Sequence, residues 1–182
     1  QSNLQKAIDA VTVRLSDCIF SCGEQTLEEI IAAALTQKKL SIAVAESCTG
    51  GLIANRLTDV SGSSIYFDRG LVTYSNEAKI SLLGVPADII EKHGAVSEET
   101  ARLMAEGVRK LAGTNLGLSS TGIAGPTGGS KEKPVGTVYI ALADANETVC
   151  RHYRFRWDRK RNKLVFSETA LMMLKNYLQE KK

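Results

Sequence analysis

Aromatic residues make up only 5% of this 182-residue chain, so aliphatic side chains must build its core. No apolar run approaches the roughly 18–20 residues of a membrane-crossing helix, which excludes a helical membrane protein. Neither sign of charge dominates: 23 Lys and Arg against 20 Asp and Glu leave a formal charge of +3. That balance excludes an acidic disordered tail and a strongly basic nucleic-acid binder, but leaves room for a local basic patch. Histidine occurs only at His93 and His152, and Cys18, Cys22, Cys48 and Cys150 form no CxxC pair. Structural zinc sites draw four Cys or His ligands at tight spacing, so no metal is expected. Scattered cysteines and the lack of a secretory signal fit a cytoplasmic protein.

What is present fits one compact domain with a short appendage. Gln1-Ser2-Asn3 looks like the remnant of a cleavable tag. Residues 4–25 read as an appendage from an upstream domain or linker, and residues 26–182 as the domain proper. Leu4, Ile8, Val11, Leu15 and Ile19 recur at helical spacing, with Gly23 closing the segment. Thr26-Leu27-Glu28-Glu29 is a capping-box pattern opening a second helix. A strand over 41–45, a polar turn and a helix from Leu52 follow. A strand over 70–74 leads into a helix capped by Ser75, then a short helix after Pro86 and a longer one from Ser97 to Gly113. The spacing then predicts a strand over 116–120, a glycine-bearing loop over 121–134, a hairpin over 135–156 and a C-terminal helix over 161–178. Early strands alternating with helices and a late hairpin predict an α/β fold, a three-layer α/β/α domain with a mixed sheet.

Four segments carry possible chemistry. Ser47 lies between a strand and a helix, two residues before Thr49-Gly50-Gly51. Such a turn can present a hydroxyl beside unpaired N–H groups that stabilise an oxyanion or hold a phosphate, or it can simply cap the helix. No histidine is placed to serve as its base, and Gly50 rather than Lys occupies the +3 position, so any lysine must come from elsewhere in the fold. Lys79, one turn into the helix after Tyr74, can supply that amine if burial depresses its pKa from about 10.4; otherwise it is a surface lysine. The loop from Thr121 through Gly122, Gly125, Gly128 and Gly129 allows close backbone approach to a ligand, but it is neither GxGxxG nor a P-loop. The run Arg151, Arg154, Arg156, Arg159, Lys160, Arg161 and Lys163 reads either as a solvated face or as an anion contact, with Arg159 at a helix start suited to phosphate.

Taken in order, Ala45-Glu46-Ser47-Cys48-Thr49-Gly50-Gly51, Thr73-Tyr74-Ser75-Asn76-Glu77-Ala78-Lys79, Gly94-Ala95-Val96-Ser97-Glu98, Gly122-Ile123-Ala124-Gly125-Pro126-Thr127-Gly128-Gly129 and Lys133-Pro134-Val135-Gly136-Thr137-Val138 closely resemble the CinA C-terminal domain family. That family includes bacterial nicotinamide-nucleotide amidases. Residues 20–28 resemble the junction that follows an upstream domain in longer CinA proteins. The resemblance implies hydrolysis of the carboxamide of nicotinamide mononucleotide to nicotinate mononucleotide and ammonia, without a cofactor. It implies Ser47 as nucleophile, Lys79 as general base and Tyr74 as an orienting hydroxyl. Glu46, Thr49, Gly50, Gly51, Thr121, Gly122 and Gly125 would bind substrate, with Arg159 at its phosphate. It also implies a homo-oligomer, a dimer first. Two positions depart from the family pattern: Trp157 stands where a glycine is usual, and Lys163 where a second arginine is. The alternative reading is a competence- or DNA-repair-associated domain that binds nucleic acid or protein through the basic run.

Overall fold

The computed structural model describes residues 2–15 and 23–181. Ile19, Cys18 and Cys22 lie outside the described residues. The first helix, α1 (Asn3–Leu15), carries the expected apolar stripe but has no buried residue. Helix α2 (Leu27–Lys38) begins as the sequence predicts: Thr26 accepts from the Glu29 N–H while Glu29 accepts from the Thr26 N–H. Then follow β1 (Ile42–Glu46), α3 (Leu52–Thr58), β2 (Phe67–Val72), α4 (Asn76–Leu83), α5 (Ala87–His93), α6 (Glu98–Ala112), β3 (Leu116–Gly122), β4 (Thr137–Ala143), β5 (Thr148–Arg154) and α7 (Arg159–Glu180). Ser75 and Ser97 cap α4 and α6 with their hydroxyls, and Gly84 and Gly113 close the same helices in the left-handed conformation.

The five strands form one mixed sheet in the order β2-β1-β3-β4-β5. β1 runs parallel to both β2 and β3, whereas β3–β4 and β4–β5 pair antiparallel. Helices α2, α3 and α7 cover one face, and α4, α5 and α6 the other. The two faces differ in kind. Ile42, Val44, Leu116, Leu118, Val138, Ile140 and Leu142 point their large side chains toward α2, α3 and α7. The alternate positions Ala43, Ala45, Gly117, Ser119, Ala141 and Ala143 are small and let α6 approach closely. At Gly117 the approach leaves no room for a side chain, because an added Cβ would lie 2.1 Å from the Ala105 carbonyl oxygen.

Two elements differ from expectation for identifiable reasons. β2 starts at Phe67 rather than Gly70. It is an edge strand, so Asp68 and Arg69 face solvent within it and interrupt the apolar signal. α7 starts at Arg159 rather than Arg161, because Asp158 is its N-cap and accepts from the Arg161 N–H.

Candidate active site

The three parallel strands β1, β2 and β3 all end on the same side of the sheet. The chain leaves the end of β1 into α3 on one face, while α6 packs on the other. A crevice at the carboxyl ends of strands, where neighbouring connections leave to opposite faces, is where open α/β sheets bind ligands. A cleft of about 320 Å³ lies there. Its walls come from Ser47 and Cys48 after β1, Tyr74 and Lys79 after β2, Ala95 and Val96 between α5 and α6, the loop after β3, and Arg159.

The sheet ladder continues past its strands to fix the ends. The Ser47 N–H donates to the Ser120 carbonyl at 2.9 Å, and the Thr73 N–H to the Glu46 carbonyl at 2.8 Å. Because β2 lies beside β1, the turn of α4 carrying Lys79 is brought against Ser47. The Lys79 side chain is 1% exposed, and its Nζ lies 3.2 Å from Ser47 Oγ. The same Nζ donates to the carbonyls of Thr73 at 2.8 Å and Tyr74 at 3.2 Å. Burial holds the amine's pKa below its ordinary value, since the charged form is the one that loses hydration. Adjacent Cys48 also faces the cleft, but burial pushes its thiol up to about 12, so it stays protonated.

Arg159 stands at the opposite side of the cleft as the first residue of α7. Its guanidinium donates to the Gly125 carbonyl at 2.9 Å and to the Tyr74 hydroxyl at 3.0 Å. The Tyr74 hydroxyl therefore pairs with Arg159 and not with Ser47 or Lys79, so the group it orients is the guanidinium. Thr121, Gly122 and Gly125 line the cleft, and the Thr121 hydroxyl donates to the Ala95 carbonyl at 2.7 Å.

Four expected ligand residues lie off the cleft. Glu46 is 1% exposed and turns to the opposite side of the strand. There its carboxylate accepts from the N–H groups of Gly51, Ile53 and Ala54, so the positive end of α3 is satisfied by the chain's own anion. Thr49 is fully buried with its hydroxyl on Ser120 Oγ at 2.7 Å. Gly50 and Gly51 supply backbone that turns the chain at φ 63° and 94°, a left-handed path that a side chain would strain. The N–H groups of Cys48, Thr49 and Gly50 make no backbone hydrogen bond among the described residues.

The unusual Trp157 lies outside the cleft, half exposed beneath the Arg161 guanidinium 5.7 Å from its ring centroid. Lys163 reaches back over Gly50, its Nζ 3.3 Å from where a Cβ there would sit. Three contributors were not among the expected site residues, although Ala95 and Val96 lie in a motif that carries the family resemblance. Asn162 is fully buried and donates to the carbonyls of Ala124 and Trp157, tying α7 to the loop. Ala95 and Val96 form a wall although neither side chain bears a polar group.

The match to the CinA C-terminal domain model spans residues 24–178. The chain belongs to this family. Among CinA-like relatives, a CinA-like protein of Syntrophus aciditrophicus is 64% identical over 98% of this chain and 43% of its own length. Another from Geobacter sulfurreducens is 52% identical over 92% of this chain and 41% of its own. The chain thus spans less than half the length of these relatives. Among solved CinA-family structures, competence/damage inducible protein CihA from Agrobacterium tumefaciens matches with a TM-score of 0.80 and 41% identity, over 88% of this chain and 99% of that one. The competence damage-inducible protein A of Klebsiella pneumoniae subsp. pneumoniae MGH 78578 matches with a TM-score of 0.83 and 33% identity, over 86% and 97% respectively. The α/β CinA fold, with its mixed five-stranded sheet, is shared with these proteins.

Proposed function

We propose that this CinA domain hydrolyses the carboxamide of nicotinamide mononucleotide, releasing ammonia and nicotinate mononucleotide. The observation that carries this reading is the buried Lys79 amine 3.2 Å from Ser47 Oγ at the cleft wall. Three carbonyls surround the amine, those of Thr73, Tyr74 and Ser75 at 2.8, 3.2 and 3.4 Å; in its neutral form its two hydrogens serve the nearer ones and a lone pair is left for the Ser47 hydroxyl. A binding module has no chemical need for that arrangement. Among the described residues the lining includes the Arg159 guanidinium and no carboxylate, which suits an anionic substrate.

Ser47 Oγ attacks the carboxamide carbon while its proton passes to Lys79 Nζ. The N–H of Cys48, the residue after Ser47 that also lines the cleft, makes no backbone hydrogen bond among the described residues and is the donor available to the developing oxyanion. Lys79 then returns the proton to the leaving nitrogen, the C–N bond breaks, and ammonia departs from a seryl ester. Water attacks that ester with Lys79 again taking a proton, and Ser47 recovers its own as the carboxylate product leaves. Arg159 keeps unused N–H donors for the phosphate, held in place by Gly125 and Tyr74.

Ammonia release from nicotinamide mononucleotide, measured beside a Ser47→Ala control, tests the proposal. Turnover abolished by the alanine supports it, and a wild-type chain without turnover or nucleotide binding overturns it. The exposed run of Arg154, Arg156, Lys160 and Arg161 favours a second reading, an anionic-polymer surface. Salt-sensitive DNA binding lost on neutralising Arg154, Arg156 and Lys160, and indifferent to Ser47, would favour that one.

A further inference from the structure

The segment Lys133-Pro134-Val135-Gly136 takes no part in the chemistry above, yet it governs one wall of the cleft. The loop after β3 is a self-packed unit. Its base is closed by Gly136 N–H to the Ile123 carbonyl and Ile123 N–H to the Thr137 carbonyl, at 2.7 and 2.8 Å. Gly125 and Gly129 fold against Val135 so closely that added Cβ atoms would lie 2.5 Å from its Cγ1 and 2.7 Å from its backbone nitrogen. The tail is a tight turn in which Ser130 N–H donates to the Lys133 carbonyl and Lys133 N–H to Ser130 Oγ.

From this unit one long side chain crosses to the opposite wall. Lys133 Nζ donates to the His93 carbonyl at 2.6 Å, at the end of α5. The last carbonyls of a helix lack partners within it and attract a cation, so the contact is favourable on both counts. It is one of four side-chain bonds to three consecutive carbonyls. The Gly94 carbonyl accepts from the Ser97 and Thr100 hydroxyls, and the Ala95 carbonyl from Thr121. The strip from His93 to Ala95, which leads into Val96, is therefore held from the α6 side, from inside the cleft, and from the glycine loop by Lys133.

We propose that Lys133 is a positioning residue, which clasps the glycine loop to the end of α5 and sets the width of the cleft between Val96 and the loop. Its kinetic consequence rests on the amidase reading; its structural consequence does not. Without the ammonium, Arg159 and Asn162 still hold the loop through the Gly125 and Ala124 carbonyls, but its outer side is released.

The test compares the wild type with Lys133→Met and Lys133→Arg. For Lys133→Met, KM for nicotinamide mononucleotide rises about tenfold, equivalent to ~1.4 kcal/mol, with kcat changed by less than about twofold. Amide exchange quickens in residues 123–136 and 93–97, and not in α2. The arginine variant, whose cation reaches the same carbonyl, recovers most of both effects. Unchanged KM and unchanged exchange overturn the proposal. So does a lower melting temperature with KM unchanged, which would make Lys133 a stabilising residue only. A wild type that neither turns over nor binds the nucleotide marks failure of the amidase reading, and the exchange data alone then decide whether the clasp exists.

Discussion

Replacing Glu46 with glutamine changes one atom in a place where the bonding count is complete. In the wild type, one carboxylate oxygen accepts from Gly51 and Ile53 at 2.9 and 3.1 Å, and the other from Ala54 at 2.8 Å. An amide whose oxygen serves Gly51 and Ile53 must turn its NH₂ toward the Ala54 N–H, placing donor against donor. The flipped amide is worse, with two donors opposed. An unmade bond to a buried donor costs about 1–3 kcal/mol, and removing the anion from the helix start about 0.3–1 kcal/mol more. Glu46→Gln should therefore lose about 1–4 kcal/mol, which in a domain of this size lowers Tm by roughly 3–15 °C. Equilibrium urea unfolding reads this as a lower midpoint at unchanged slope. Activity should fall further than the folded fraction does, because the same carboxylate anchors the turn that presents Ser47. A variant within about 0.5 kcal/mol of wild type would refute the idea that the carboxylate, rather than local packing, holds the elbow.

Three further outcomes are expected. Because burial lowers the Lys79 pKa, kcat/KM should rise with pH through one ionisation below the ordinary lysine value of 10.5, and a pH–rate series on Lys79→Arg should lose that limb along with most activity. Although burial alone would raise the Asp144 pKa, hydrogen bonds from Tyr177, the Glu147 and Asn146 amides and Lys181 hold the carboxyl well below the usual carboxylate range. The stability it contributes is full above the unfolded value and is lost as pH falls through the folded one, so the gap in urea midpoint between wild type and Asp144→Asn should close as acid is added below about pH 4. Arg56 joins three helices, contacting Glu28 of α2 at 2.5 Å and Ser167 and Glu168 of α7 at 3.2 and 2.7 Å, so Arg56→Ala should cost about 2–3 kcal/mol by the same unfolding assay.

Much of the fold was legible because its punctuation is chemical. Thr26, Ser75 and Ser97 start helices with side chains that bond the first turn, and Gly84 and Gly113 end them in a conformation other residues avoid. β2 was misplaced because an edge strand need not be apolar. Arg159 was placed at a helix boundary, but α7 was drawn two residues late because Asp158 alone marks the start among neighbouring cations. The pairing of Ser47 with Lys79 is invisible to spacing, since 32 residues separate them and only the β1–β2 adjacency brings them together. The position of Glu46 follows from a related rule. Adjacent residues on a strand point to opposite faces, so sitting beside Ser47 places its carboxylate away from the cleft. Asn162 and Lys133 act through distant backbone carbonyls, and a sequence does not say which carbonyls lie within reach.

The unequal faces of the sheet bear on how such a domain changes over generations. Where large aliphatic side chains meet α2 and α7, one shape can be exchanged for another of similar volume, and neighbours can compensate one substitution at a time. Where Ala43, Ala45, Gly117, Ala141 and Ala143 meet α6, the opposing surface near Gly117 is backbone, which cannot shrink to make room. Drift should accumulate on the first side and stall on the second. The strands that end at Ser47 and at Thr121 are thereby seated on the side least able to wander, so the positions of the loops that wall the cleft are inherited through residues that have almost no side chain at all.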